Sequence, residues 1–253
     1  MSKVYSLLLA STFLIHGQAM AQGVSGKWTV QEVVDRSIIG VTQKYAEFKI
    51  GSPAITEKYD SLGIQRNLYQ VGKCYVTLGI KNSEVVSVRM YASKGTCDLN
   101  LSGKFPFSKP GKMLTDTTFE DWSRLGPLHF VDPGLPSCNA CGESDISVYG
   151  LIDAVGVNGM IEVQVGGGGS GNDAITKGHS AWRDMLRNAR IEGENLPVTA
   201  QNCPLRQFDK QAFQLMKGAN VTSIGYGRPN TLQPACSATT DQQYRDTGDF
   251  IKP

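Results

Sequence analysis

The residues of this chain whose types and spacing could do chemistry are its six cysteines, two of its three histidines (His16 falls in the leader described below) and one run of arginines. Cys138-Asn139-Ala140-Cys141 has the spacing of a thiol–disulfide exchange motif. In such enzymes the first cysteine caps a helix N-terminus directly after a strand, which lowers its pKa and exposes a nucleophilic thiolate. Here Pro133-Gly134-Leu135-Pro136-Ser137 precedes the motif and Gly142-Glu143-Ser144-Asp145 follows it, and both flanks read as loop. The motif is therefore expected to be a structural loop disulfide, with thiol–disulfide exchange as the alternative. His129 and His179 are the imidazoles available to a Ser-His-Asp hydrolase. Ser180 adjoins His179, but sequence neighbours on a helix point in different directions and do not form a nucleophile–base pair. Gly168-Gly169-Ser170-Gly171-Asn172 misses the nucleophile elbow at its last position. The same glycines lack the Lys-Ser/Thr of a phosphate loop. One Cys-x-x-Cys with His129 and His179 does not make a zinc site. No metal, cofactor or catalytic residue is assigned on these grounds.

The arginines are more suggestive. Trp182, Met185, Leu186 and Ala189 form an apolar stripe at helical spacing, and Arg183, Arg187 and Arg190 gather opposite it. A solvated basic face accounts for this pattern. So does a partner-docking face, because arginine is enriched at interfaces.

The cysteines also speak to compartment. Lys3, the apolar stretch Val4 to Ile15 and Ala19-Met20-Ala21 form the three parts of a cleavable leader, so residues 1–21 read as a signal peptide cut before Gln22. The apolar run is too short to span a bilayer. An even cysteine count in an exported chain reads as disulfides, and sequence neighbourhood favours Cys74–Cys97, Cys138–Cys141 and Cys203–Cys236. The chain-entropy model assigns about 3–4 kcal/mol to each longer loop and about 2 kcal/mol to the short one. A net charge of +2 over 253 residues gives no electrostatic case for nucleic acid. No membrane span follows from the remaining sequence. The expected location is periplasmic or secreted.

Two segments position these residues, and they share an order of elements. In the first unit, 22–101, Val30, Val33, Val34 and Ile38 recur at helical spacing up to Gly40. A short helix through Tyr45 and Phe48 stops at Gly51-Ser52-Pro53. Strands follow over Arg66–Val71, Lys73–Ile80 and Glu84–Ala92, with Cys74, Val76, Leu78 and Ile80 alternating onto one face and Val86, Val88, Met90 and Ala92 likewise. A connection at 102–112 leads to the second unit, 113–227. It opens on the capping-box pattern Thr117-x-x-Glu120 and contains a hairpin of Ile146–Val155 and Gly159–Gly166 around Asn158-Gly159. Residues 166–217 read as a helical insertion that starts with a flexible connector, Gly166 to Gly171. It carries helices centred on Ala181–Arg190 and near Phe208–Met216, and Val221–Tyr226 closes the unit as a strand. Residues 228–253 form a tail tied back by Cys236. The fold class is α+β: antiparallel sheets with short helices packed on one face, in two related units.

Ile50-Gly51-Ser52-Pro53, then Tyr69, the strand Val76–Ile80, a polar turn and Val85-Val86-Ser87-Val88 resemble the small α/β module of SmpA/OmlA-type outer-membrane assembly lipoproteins. Leu125-Gly126-Pro127 before a strand pair is a looser copy. Two such modules in tandem are similar to those of β-lactamase-inhibitory-protein-like chains. The sequence departs from the lipoprotein module in having no lipidation cysteine and in carrying the long helical insertion. The resemblance implies a soluble, non-catalytic binding protein, an inhibitor or accessory factor whose partner is another envelope or secreted protein.

The leader generates a direct test. Intact mass of protein recovered from the periplasm or medium should correspond to a chain starting at Gln22, and a chain starting at Met1 would refute the cleavage.

Overall fold

The computed structural model describes residues 27–60, 62–131, 147–156, 159–168, 172–189, 207–229 and 231–232. The expected leader, the Cys138/Cys141 loop, Cys203, Cys236 and Arg190 lie outside the described residues.

The fold is α+β, with antiparallel strands and short helices. Two short helices come first, α1 (Val30–Val33) and α2 (Gln43–Ile50). The periodicity that predicted one helix from Val30 to Ile38 is broken: α1 is a single turn, and Asp35 starts a 3-10 turn at Arg36–Ile38 by accepting a hydrogen bond from Ser37 N at 3.0 Å. Asp's preference for capping ends the longer run. Thr42 Oγ1 accepts from Tyr45 N at the start of α2, and Gly51 ends it with φ 96°.

Strands β1 (Ile55–Tyr59), β2 (Gln65–Val71), β3 (Cys74–Lys81) and β4 (Glu84–Tyr91) form an antiparallel meander. Strand β1 was not expected, because all five of its residues are exposed and no apolar alternation marks it. The turn into β4 places Asn82 and Ser83 at φ 52° and 62°, the left-handed pair that a two-residue hairpin turn requires. Helix α3 (Phe119–Trp122) follows, then β5 (His129–Val131), β6 (Ser147–Gly156), β7 (Gly159–Gly168), α4 (Asp173–Asn188), α5 (Asp209–Met216) and β8 (Ser223–Gly227).

One sheet holds all eight of the described strands, in the order β1-β2-β3-β4-β8-β7-β6-β5. The last strand therefore lies in the middle, and the strands expected in two units meet edge to edge along β4 and β8. Three sequence expectations shift here. Gly166, Gly167 and Gly168, expected in a flexible connector, extend β7, paired with Tyr149, Val148 and Ser147. Hydrogen-bonded partners, β6 along all three and β8 through the Gly166↔Ser223 pair, override glycine's low strand preference. The capping box is one residue later than Thr117: Thr118 Oγ1 accepts from Asp121 N at 3.3 Å, and Asp121 Oδ2 accepts from Thr118 N at 3.2 Å. Thr117 is instead buried, accepting from Trp122 Nε1 at 2.9 Å and donating to the Leu114 carbonyl at 2.6 Å. Strand β5 was also not expected, being only three residues long.

The core lies on one face of the sheet. Across it, Tyr69, Val76, Met90, Ile224 and Val165 stand in one register row, and Leu78, Val88, Tyr226 and Val163 in the next. All are buried, in one apolar cluster with Phe130 of β5 and with Phe119, Trp122, Ile175, Trp182 and Met216 from the helical side. Burying each large side chain contributes roughly 1.5–3 kcal/mol. A polar chain fixes α2 on β2: Tyr69 donates to Glu47 Oε1 at 3.3 Å, and Glu47 also accepts from Gln43 Nε2 at 2.8 Å. Burial pushes the Tyr69 phenol up to about 12. The structure contains the disulfide Cys74–Cys97, with a Cα separation of 5.2 Å, joining β3 to the loop after β4. Among the described residues no helix is long and apolar enough to cross a membrane.

Helices α4 and α5 pack at Gly178, where an added Cβ would stand 2.6 Å from Met216 Cγ and 2.8 Å from the Leu215 carbonyl oxygen. Alanine favours helix over glycine by about 1 kcal/mol, but the backbone oxygen cannot rotate away. Gly178→Ala should therefore destabilise the protein by about 1–3 kcal/mol in urea unfolding; unchanged or raised stability would refute this packing.

Candidate functional site

Alternation in the strands leaves a second face of the sheet that none of the described helices covers. In β3, Cys74, Val76 and Leu78 turn to the core, so Tyr75, Thr77 and Gly79 turn the other way. Cross-strand pairing then assembles one row on that face: Ile55, Leu68, Thr77, Arg89, Gly225 and Gln164. Tyr75 and Tyr91 extend it, each one residue beyond the Val76↔Met90 pair.

The centre of this face is polar and ordered. Arg89 on β4 reaches across β8 to donate to Gln164 Oε1 on β7, and it donates to the Leu232 carbonyl at 2.9 Å. Gly225, the β8 residue between them, makes this possible: a Cβ there would meet Leu232 Cδ2 at 3.2 Å and Arg89 Cβ at 3.6 Å. Arg66 on β2 donates to the Thr231 carbonyl at 3.2 Å and pairs with Asp60 at 2.9 Å. Thr231 Oγ1 donates to the Val86 carbonyl at 3.1 Å. Two arginines thus hold residues 231–232 against the middle of the face.

Its outer part is open and aromatic. Ile55, Tyr75 and Tyr91 are 54%, 56% and 53% exposed. A rigid strand scaffold displaying tyrosines is suited to contact with another macromolecule, because tyrosine offers a large amphipathic surface at low conformational cost. Alternation could have singled out Tyr75 and Tyr91, since each is an aromatic on the solvent side of a strand whose apolar residues at alternate positions point inward. Nothing in sequence could have joined Arg89 to Gln164, which are 75 residues apart.

The other chemical candidates fall elsewhere. His179 is buried, edge-on to Trp182 with ring centroids 6.2 Å apart, whereas Ser180 is exposed, so the two do not face each other. His129 has a partner that sequence reading missed. Its Nδ1–H donates to Asp209 Oδ2 at 2.9 Å, and Asp209 Oδ1 accepts from Phe130 N at 2.8 Å. The carboxylate at the start of α5 thereby supplies a partner to edge strand β5, and this buttress is its evident role. Among the described residues no hydroxyl or thiol hydrogen-bonds His129 Nε2, and no group of three or more His, Cys, Asp or Glu could hold a metal ion. Arg183 is half-buried on α4, which also carries Arg187; the side chain of Arg187 lies outside the described ones, as do Arg190 and the Cys138/Cys141 pair.

No protein-family model matches the sequence, and no curated protein matches it. Two solved structures are similar in part. One is a cysteine-rich secretory protein from Staphylococcus aureus subsp. aureus Mu50, at 13% identity and a TM-score of 0.36 over 78% of this chain and 46% of that one. The other is an extracellular protein containing an SCP domain from Bacillus anthracis str. Ames, at 15% identity and a TM-score of 0.37 over 81% of this chain and 50% of that one. The chain spans half or less of the length of each.

The Arg89 network can be tested directly. Arg89→Ala leaves Gln164 Oε1 and the Leu232 carbonyl without this donor. Losing hydrogen bonds to a charged group costs about 1.5–3 kcal/mol, so urea unfolding should show a loss of that size. A change under about 0.5 kcal/mol, the range of ordinary surface substitutions, would mean the network contributes little.

Proposed function

We propose that this is an exported, soluble, non-catalytic binding protein that engages another envelope or secreted protein, as its inhibitor or accessory factor, through the helix-free face of the sheet. One observation carries the reading: exposed Ile55, Tyr75 and Tyr91 share a face whose centre is held rigid by Arg89 and Arg66. Such a surface needs little ordering on binding, which preserves affinity. The leader pattern and the Cys74–Cys97 disulfide support an oxidising compartment. The resemblance to tandem SmpA/OmlA-like modules supports the same reading, because two four-stranded units meeting at β4 and β8 would produce this sheet order. The arginines Arg183, Arg187 and Arg190, the first two of them on α4, are a second candidate docking surface, placed behind the sheet face because Arg183 is half-buried.

Site-specific photocrosslinking from positions 75 and 91 in the exporting cell should trap one discrete protein that a probe at Leu215, exposed on the helical side, does not. Against that purified protein, Tyr75→Ala with Tyr91→Ala should weaken binding by about thirtyfold or more, since an interface hot spot contributes about 2 kcal/mol. Crosslinks arising only from position 215, or unchanged affinity in the double variant, would refute the sheet face. Insulin reduction by the parent that disappears in the Cys138→Ser/Cys141→Ser variant would establish thiol–disulfide exchange instead.

A further inference from the structure

One part of the core comes close to solvent beneath a cavity. Val76, Leu78, Val88 and Met90 have no solvent exposure, whereas Ile50, Val71, Cys74 and Cys97 keep 9%, 6%, 5% and 7%. These four line a pocket of about 560 Å³ between the chain entering α1 and the β2–β3 turn. Its floor is thus apolar and includes the Cys74–Cys97 disulfide, and Val30 adds to one wall. At its rim stand two exposed lysines, Lys27 and Lys73, together with the partly exposed ring of Trp28. Asp98 also lines it, but both its oxygens are committed, one accepting from Leu99 N at 2.8 Å and from Thr115 N at 3.3 Å, the other from Thr115 Oγ1. The mouth continues into an exposed aromatic surface: Trp28 packs edge-on against Tyr45 at 5.7 Å, and Lys49 Nζ stands 5.8 Å and 5.9 Å from the rings of Tyr45 and Phe48.

We infer that this pocket binds a single-chain amphiphile ending in an anion, its chain on the apolar floor and its carboxylate or phosphate at Lys27 and Lys73. The volume is in the range of small-molecule sites, which are concave, mostly apolar and marked by a few polar groups that fix orientation. Apolar burial supplies the affinity, and the two ammonium groups select charge at the head. The aromatic and lysine surface at the mouth has the composition of a membrane–water interface, where such ligands reside. A free carboxylate and a phosphate-headed lipid share this chemistry, and the choice of probes separates them.

The test uses the whole mature protein with decanoate, decyl phosphate and decanol, each below its micelle concentration. Trp122 and Trp182 are fully buried, so a change in tryptophan emission reports on Trp28; calorimetry gives the affinity. Decanoate or decyl phosphate should bind saturably, the tighter of the two naming the head group, and decanol should bind more weakly. Lys27→Ala with Lys73→Ala should weaken the anions about fivefold, as expected for two exposed ion pairs, and leave decanol unchanged. Thr96→Phe, an exposed substitution at the mouth, should block all three without lowering the melting temperature. Absence of saturable binding by either anion, equal binding of decanol, or full affinity in both variants would overturn the inference.

Discussion

The pairing of β4 with β8 is the constraint on which the rest of the molecule depends. Strand β8 is the last of the described strands and is enclosed on both sides: β4 and β7 take its two edges, and all five of its residues are buried. Without it the meander β1–β4 and the strands β5–β7 would be separate small sheets, each with one face of apolar side chains and an exposed inner edge. A free edge invites pairing with other chains, and a small sheet buries too little to be stable alone. Inserting β8 turns both edges inward and merges both apolar faces into one core. The cost is kinetic, because β4 cannot find β8 until the intervening chain is made, and long-range pairings fold slowly.

The sequence of β8 shows how one strand serves two faces. In Ser223-Ile224-Gly225-Tyr226-Gly227, Ile224 and Tyr226 point to the core beside Met90 and Val88. Gly225 on the other face leaves space through which Arg89 meets Gln164 and Leu232. A larger residue there would separate Arg89 from its partners and lift residues 231–232 off the sheet. The strand that closes the core is therefore also the one that lets the open face be polar and rigid at its centre, while Tyr75 and Tyr91 remain exposed at its margin.

What sequence made legible, and what it hid, divide along the range of the interactions involved. Strands β2, β3 and β4 were readable because their core-facing positions (Tyr69 and Val71; Cys74, Val76 and Leu78; Val88 and Met90) are apolar and buried at every second residue, so alternation records that face. The Cys74–Cys97 disulfide was readable because a hairpin brings those positions together. Strand β1 was hidden by full exposure, and β5 by its three-residue length. Gly166–Gly168 was hidden because glycine carries no strand signal of its own, and only the hydrogen bonds from β6 and β8 make it one. The Thr117 reading failed by one residue: Thr117 and Thr118 are both competent caps, and burial of Thr117 against Trp122 decided between them. His129 with Asp209, and Arg89 with Gln164, were beyond reach because nothing local to either residue marks its partner.

The candidate sites lie on opposite faces of the sheet yet share one covalent anchor. In β3, Cys74 turns to the core and forms part of the pocket floor, and the next residue, Tyr75, turns to the open face. Its bond to Cys97 ties the start of β3 to the loop that follows β4, the strand ending in Tyr91. The disulfide thus sits beneath both exposed tyrosines while forming the base of the amphiphile pocket. Breaking it would release the loop from β3, enlarge or collapse the pocket floor, and loosen the strand ends that hold Tyr75 and Tyr91 side by side. A rigid aromatic surface and a preformed apolar cavity both depend on low local entropy, and here the same crosslink supplies it to each. Occupancy of the pocket would add packing at the same strand ends, so Cys74 and Cys97 offer one direct route by which amphiphile and partner binding would be coupled.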